Sequence, residues 1–352
     1  MKPITLSYYW KKKTILSFFA VVFVVFIHSS ATHQYNVTPD TFTGIADFLR
    51  NFLAYNLGSF AVPFFFFISG VTLFRNFSMK EYKNKLSRRV KTLLVPYLIW
   101  NIIGLLFAII YTYTPLNNYI SGRELFTPSI NNIFDGIFLY KYNFHFWFLF
   151  DLIIFTLLAP VFNLLISKKW LAHISGIVLL LLPLITDSFL HINTYSIIFY
   201  FLGCYIGKYH LSFFSKPHHK TFSFFSLAIT LILLIIQTLP FYQIITIPPI
   251  ISQIILLTLL LSIWFSSDLI IPKINQPKFA TEFFPVYTIH VYFIAIITKI
   301  IVILFPQTSF MMLINELTAP IITIIITTII SYSWHQKLPK SYNFFFGRAA
   351  RN

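Results

Sequence analysis

What most constrains this chain is the recurrence of long uncharged apolar runs, among them Ile15 to Ile27, Ile177 to Leu182, Leu231 to Ile236 and Ile321 to Ile330. They lie in stretches near the roughly 20 residues that a helix needs to cross the hydrocarbon core of a bilayer. With 57% of its 352 residues hydrophobic and 10% charged, the chain carries more apolar surface than a soluble domain hides. Lipid offers backbone groups no hydrogen-bond partner, so the expected fold is all-α, a polytopic membrane helical bundle. Hydropathy and the charged or Pro/Asn-rich breaks predict about ten transmembrane helices, over 14–33, 57–76, 92–113, 143–166, 170–188, 195–209, 220–239, 249–266, 281–304 and 316–335.

The positions of Lys and Arg orient these spans. With the N-terminus inside, 22 of the 26 Lys and Arg fall in cytosolic segments, the others being Arg50, Arg123, Lys141 and Lys299. Cytosolic loops retain an excess of cations, so both termini are expected in the cytosol. The same clustering between apolar runs excludes nucleic acid as the reason for the net charge of +16. Lys11-Lys12-Lys13, the apolar run after it and Ser29-Ser30-Ala31 also have the form of a secretory signal. Because the run carries His28 and heads a series of spans, it is read as a retained first helix. The single cysteine, Cys204, permits no intramolecular disulfide, and no metal or redox centre is expected. The longest outer loops, 34–56 and 114–142, are too short to fold as catalytic domains. Any chemistry therefore belongs to membrane-facing side chains and short loops.

An ionisable group at membrane depth is costly unless paired or turned to a polar cavity, which makes each one a functional candidate. His28, Asp151, Glu282 and His290 meet that criterion. His28 stands fifteen residues after Lys13, or roughly 22 Å along a helix, in the outer half of the bilayer. An imidazole that accepts and returns a proton near neutral pH suits activation of a hydroxyl; the competing reading is a histidine bonded across a helix interface. His290 has the same two readings. His145, at the mouth of the fourth helix beside Trp147, reads as an interfacial residue. Asp151 needs a cation, donor or proton, and either orients a histidine or bonds a neighbour, whereas Glu282 reads as a hydrated anchor near the inner end of the ninth helix. The basic segment Lys83 to Lys91 binds phosphates of a cytosolic donor on one reading and anchors the topology against anionic lipid on the other.

Taken together, several segments resemble the acyltransferase-3 family. These are His28 closing the first span, Val62-Pro63-Phe64-Phe65-Phe66-Phe67-Ile68-Ser69-Gly70 in the second, and Arg88-Arg89-Val90-Lys91-Thr92-Leu93-Leu94-Val95-Pro96-Tyr97 entering the third. His145-Phe146-Trp147-Phe148-Leu149 and a late Tyr287-Thr288-Ile289-His290 complete the set, whose order spans residues from about 15 to 300. Two positions depart from the family pattern. Eleven residues before His28, where relatives carry Arg or Lys, stands Ser17, with Lys13 one turn nearer the cytosol as the substitute. Arg89 is followed three residues later by Thr92, although Arg88 and Lys91 keep two cations at that spacing.

The resemblance implies one transmembrane domain over 1–340 with a basic cytosolic tail over 341–352, in a bacterial cytoplasmic membrane. It implies acyl-coenzyme A, with acetyl the expected group, as donor near Lys13, Arg88, Arg89 and Lys91. The acceptor would be a hydroxyl of a saccharide or lipid-linked glycan. His28 would act as general base or carry the acyl group covalently, with His145, His290 and Asp151 completing the catalytic set. With no hydrolase-like domain expected after the last helix, transfer would be direct or through envelope-synthesis proteins, in contact with membrane lipid. A polysaccharide exporter whose intramembrane ionisable groups line a pathway is the alternative; the internal repeats common in transporters are absent from the sequence.

Overall fold

A computed structural model describes residues 6–29, 34–115 and 124–347. Lys2, Ser30, Ala31, Arg123, Arg348 and Arg351, used above for topology, lie outside them. The chain is a helical membrane bundle. Its helices run in order α1 (Ser7–Ile27), α2 (Thr41–Arg50), α3 (Ala61–Phe74), α4 (Met79–Arg89), α5 (Val95–Thr112), α6 (Ile130–Phe138), α7 (Trp147–Leu157) and α8 (Ala159–Leu165). There follow α9 (Lys169–Leu181), α10 (Thr194–Tyr209), α11 (Leu211–Phe214), α12 (Lys220–Thr238), α13 (Pro249–Ser266), α14 (Phe283–Leu304), α15 (Ser309–Lys337) and α16 (Pro339–Phe346). Among the described residues, six continuous helical segments are long and apolar enough to cross a bilayer, seven if the bent pair α7–α8 counts as one span. α1 is not among the six, because every stretch of eighteen residues within it includes Lys11, Lys12 and Lys13.

Local chemistry sets several boundaries. Asp40 and Thr43 form a reciprocal cap on α2, the Asp40 carboxylate accepting from the Thr43 amide at 2.9 Å and the Thr43 hydroxyl accepting from the Asp40 amide at 2.7 Å. Ser129 caps α6 and Thr308 caps α15 through the Asn132 and Met311 amides. The predicted span 143–166 is broken instead of straight: α7 and α8 meet at 65°. Pro160, in the first turn of α8, has no N–H to give the helix before it and ends α7.

The chain forms two compact units, the first comprising Met1–Ile27, Phe48–Tyr82 and Leu158–Phe283. Its closest packing is between α3 and α10. Gly203 and Gly207 lie one turn apart on α10, and a Cβ on either would collide with the α3 backbone at Phe67 or Val71. Small residues spaced by four let membrane helices approach to backbone contact. Trp264 is fully buried among the rings of Tyr9, Phe64, Phe67 and Phe214. Side-chain bonds add to the packing of this unit: Thr230 donates to Ser262 between α12 and α13 at 2.9 Å, and the Asn56 amide donates to Thr238 at 2.8 Å.

The second unit comprises His28–Asp47, Lys83–Leu157 and Phe284–Asn352. α16 docks on α5, where the Trp100 indole donates to the Phe345 carbonyl at 3.0 Å and stacks on Phe346. Tyr97 donates to the Phe138 carbonyl at 2.7 Å and ties α6 to α5. At the other end Tyr35, Ala46 and Met312 form a small apolar cluster.

Candidate active site: three histidine rings

The second unit gathers His28, His145 and His290. His28 occupies the turn after α1, which stops at Ile27 and not at 33 as the hydropathy predicts. His145 lies in a 3-10 turn, Phe144–Phe146, leading into α7, and His290 lies on α14. The ring centroids are 5.2 Å apart for His28 and His290, 5.5 Å for His145 and His290, and 6.3 Å for His28 and His145. His145 and His290 are buried and His28 is half-buried, so of the three it is the ring most open to an incoming group. The burial of His145 departs from its reading as an interfacial residue.

Backbone carbonyls only accept, so the 2.6 Å contact between His290 Nδ1 and the Tyr287 carbonyl fixes the proton on Nδ1. In the neutral ring Nε2 is then the acceptor, and it has no hydrogen-bond partner among the described residues. The spacing of Tyr287 and His290, three residues apart on one helix, permits this bond.

Two tyrosines hold the 143–146 turn. Tyr287 donates to the His145 carbonyl at 2.5 Å, and Tyr292 donates to the Asn143 side-chain oxygen at 2.6 Å. The buried Asn143 amide donates to the Trp100 carbonyl at 2.6 Å, anchoring the same turn to α5. Tyr287 is thus bonded to one histidine through its hydroxyl and to another through its carbonyl. This clamp was legible only in part: Tyr287-x-x-His290 is a recognisable segment, while Asn143 and Tyr292 carry no sequence signal that marks a partner 149 residues away.

Asp151 is fully buried on α7. Tyr140, in the loop before that helix, has its phenol raised above the usual value by burial first and then by the nearby Asp151 carboxylate. Glu282 is fully buried and accepts from the Thr281 hydroxyl at 3.0 Å, so it is not the hydrated anchor expected. Arg88 and Lys91 are exposed and Arg89 half-buried, at the end of α4 and in the π-helical turn, Val90–Leu94, that joins it to α5. Lys13 belongs to the first unit, with its ammonium 5.0 Å from the centre of the Trp10 ring. Among the described residues no group of three or more His, Cys, Asp and Glu is arranged to hold a metal ion.

Sequence reasoning passed over a second polar cluster, in the first unit. Lys12, fully buried, is paired with Asp268, which also accepts from the Tyr8 hydroxyl at 2.5 Å and contacts the His218 ring at 2.8 Å. The Lys12 ammonium lies 4.5 Å from the Trp264 ring centre. The available signal was Asp268 itself, one of only ten acidic residues, each of which needs a partner in so apolar a chain.

The comparisons with known proteins bear on this arrangement. The acyltransferase-domain profile of the acyltransferase-3 family matches residues 15–334 and so includes all three histidines. The succinoglycan biosynthesis protein ExoH of Rhizobium meliloti (strain 1021) is 28% identical over 155 residues, covering 41% of this chain and 40% of that protein. The match therefore spans less than half the length of either chain. No solved structure matches the chain. A match over most of the sequence, together with the convergence of the family's histidine-bearing segments, identifies the chain as a member of the acyltransferase-3 family.

Proposed function

We propose that this protein transfers an acyl group, acetyl as the expected one, from acyl-coenzyme A to a hydroxyl of a cell-envelope saccharide, with His28 as the general base. The observation that carries the reading is the meeting of the His28, His145 and His290 rings from three distant segments, with the His290 tautomer fixed by Tyr287. Three imidazoles so placed suit proton traffic at a hydroxyl. Family membership supports acyl transfer, and the name of the relative supports a polysaccharide acceptor.

In this account His28 removes the proton of the acceptor hydroxyl, whose oxygen attacks the thioester carbonyl. The C–S bond breaks, and the leaving thiolate takes up the proton from the imidazolium. His145 and His290 orient the reacting groups, and Tyr287 positions both. Asp151 polarises the surroundings of the turn that bears His145. Arg88, Arg89 and Lys91 bind donor phosphates by charge-assisted hydrogen bonds. Both termini face the cytosol of a bacterium, and the histidines serve an acceptor on the outer side, directly or with envelope-synthesis partners.

The test is to express wild type and His28→Ala at matched membrane levels and to weigh the envelope polysaccharides against a control without the protein. The account expects added acyl mass in wild type only. Equal modification by both proteins refutes the role of His28. Surface polysaccharide that depends on the protein but gains no acyl mass favours export and refutes transfer.

A further inference from the structure

The first unit contains an apolar recess remote in sequence from the histidine turn, with lysines beyond one end of it. It lies between α9, α10 and α13 and has a volume of about 440 Å³. Its floor is apolar, formed by Ile177, Leu180, Ile198, Phe201, Leu257 and Leu261. One turn nearer the start of α9 and the end of α10 stand His173 and Tyr205, with ring centroids 6.0 Å apart. Beyond them, outside the lining itself, lie lysines, with Lys169 one turn before His173 on α9. Tyr209 donates its single hydroxyl proton to the Ile166 carbonyl at 2.6 Å, with the Ser167 carbonyl 3.1 Å away, and Lys208 donates to Asn163 at 3.2 Å. These bonds hold the end of α10 against the residues just before α9, so Lys208, Lys168 and Lys169 share one rim, and all are exposed. Trp170 on the same rim is 59% exposed, as befits an aromatic residue at headgroup level.

We propose that this recess binds one anionic diacyl phospholipid, a hydrocarbon chain lying along Ile177, Leu180, Phe201 and Leu261 and the phosphate held by Lys168, Lys169 and Lys208. An apolar recess in a bilayer-facing surface has nothing to hold water, so it fills with a hydrocarbon chain. From His173 to Leu180 the floor is about 10 Å long at a helical rise of 1.5 Å, a fitting depth for part of an acyl chain. The rim then decides the headgroup, because clustered lysines at the membrane surface select negative charge. A neutral lipid satisfies the floor and leaves the lysines without a counter-ion. The site is independent of the catalytic reading, and His28→Ala protein should bind the lipid as wild type does.

Gly176 supplies the probe. A Cβ there meets only the Phe201 ring, at 3.5 Å, so a larger side chain enters the recess without touching backbone. The full chain is reconstituted into phosphatidylcholine vesicles containing trace chain-spin-labelled phosphatidylglycerol or phosphatidylcholine, and the motionally restricted fraction is read by electron paramagnetic resonance. Wild type should prefer phosphatidylglycerol at least about fivefold, the factor that one interfacial lysine alone would give. Replacing Lys168, Lys169 and Lys208 together by Gln should bring the ratio near one, and replacing them by Arg should preserve it. Gly176→Leu should lower the restricted fraction while Gly176→Ala leaves it intact. Equal restriction of the two lipids by wild type, a preference that survives the Gln variant, or a restricted fraction indifferent to Gly176→Leu would each overturn the proposal. Displacement of the label by inorganic phosphate alone would also overturn it, since the ligand would then be a free anion.

Discussion

At the scale of single residues the account depends on hydrogen bonds whose direction is fixed by chemistry. Tyr287 can only donate to the His145 carbonyl, and the Tyr287 carbonyl can only accept from His290. Tyr287→Phe keeps the ring packing and the second bond but orphans a buried carbonyl, costing about 1–3 kcal/mol of stability. Because the loss falls on the placement of His145, turnover should fall about tenfold with KM nearly unchanged, as a small displacement of a catalytic group predicts. A steady-state kinetic comparison separates this from a merely structural role, in which the folded fraction falls and the turnover of folded protein does not. Lys12 tests a different principle. Lys12→Met leaves Asp268 buried with Tyr8 and the His218 ring still beside it, so the loss should lie near the lower end of the usual 3–5 kcal/mol, about 3 kcal/mol. Adding Asp268→Leu removes the uncompensated charge and should restore most of the thermal stability; a double variant no more stable than Lys12→Met would contradict the ion-pair account.

At the scale of elements, the α3–α10 contact is the tightest test. Gly203 faces the Phe67 carbonyl so closely that no Cβ fits. Gly203→Leu should destabilise the first unit by more than about 3 kcal/mol, visible as loss of monodisperse protein in detergent, whereas Gly176→Ala should have no such effect. Much of the helical layout was legible in the sequence because lipid forbids unpaired backbone, and each predicted span contains a helix. Its breaks were less legible. The bend at Pro160 and the end of α1 before His28 depend on local geometry that a hydropathy window averages away. His28 and His290 stand out in the sequence as ionisable residues at membrane depth, whereas His145 reads as interfacial, and the convergence of the three is a property of the fold. Lys12 was hidden in a run of three lysines because charge counting treats all three alike, while helical rotation buries the second and leaves its neighbours half-exposed.

At the scale of the whole molecule, the distribution of Lys and Arg predicts the topology that the proposed chemistry requires. Cys204 is buried and unique, so Cys204→Ala gives a background free of thiols. In that background Pro128→Cys should react with an impermeant maleimide in intact cells, and Lys340→Cys only after permeabilisation; the reverse pattern would invert the bundle. A donor held on the cytosolic side and a base serving the outer side require such an orientation. The central claim is that the histidine cluster moves an acyl group from a thioester to a saccharide, and its most direct test is transfer by purified protein in vesicles. Carbonyl-labelled acetyl-coenzyme A is supplied on the Arg88 side, and label is counted in envelope polysaccharide for wild type and for His28→Ala. The account predicts labelled polysaccharide from wild type and a loss of about a hundredfold or more in the variant, the usual scale of a removed general base. Equal labelling by folded His28→Ala protein would contradict it.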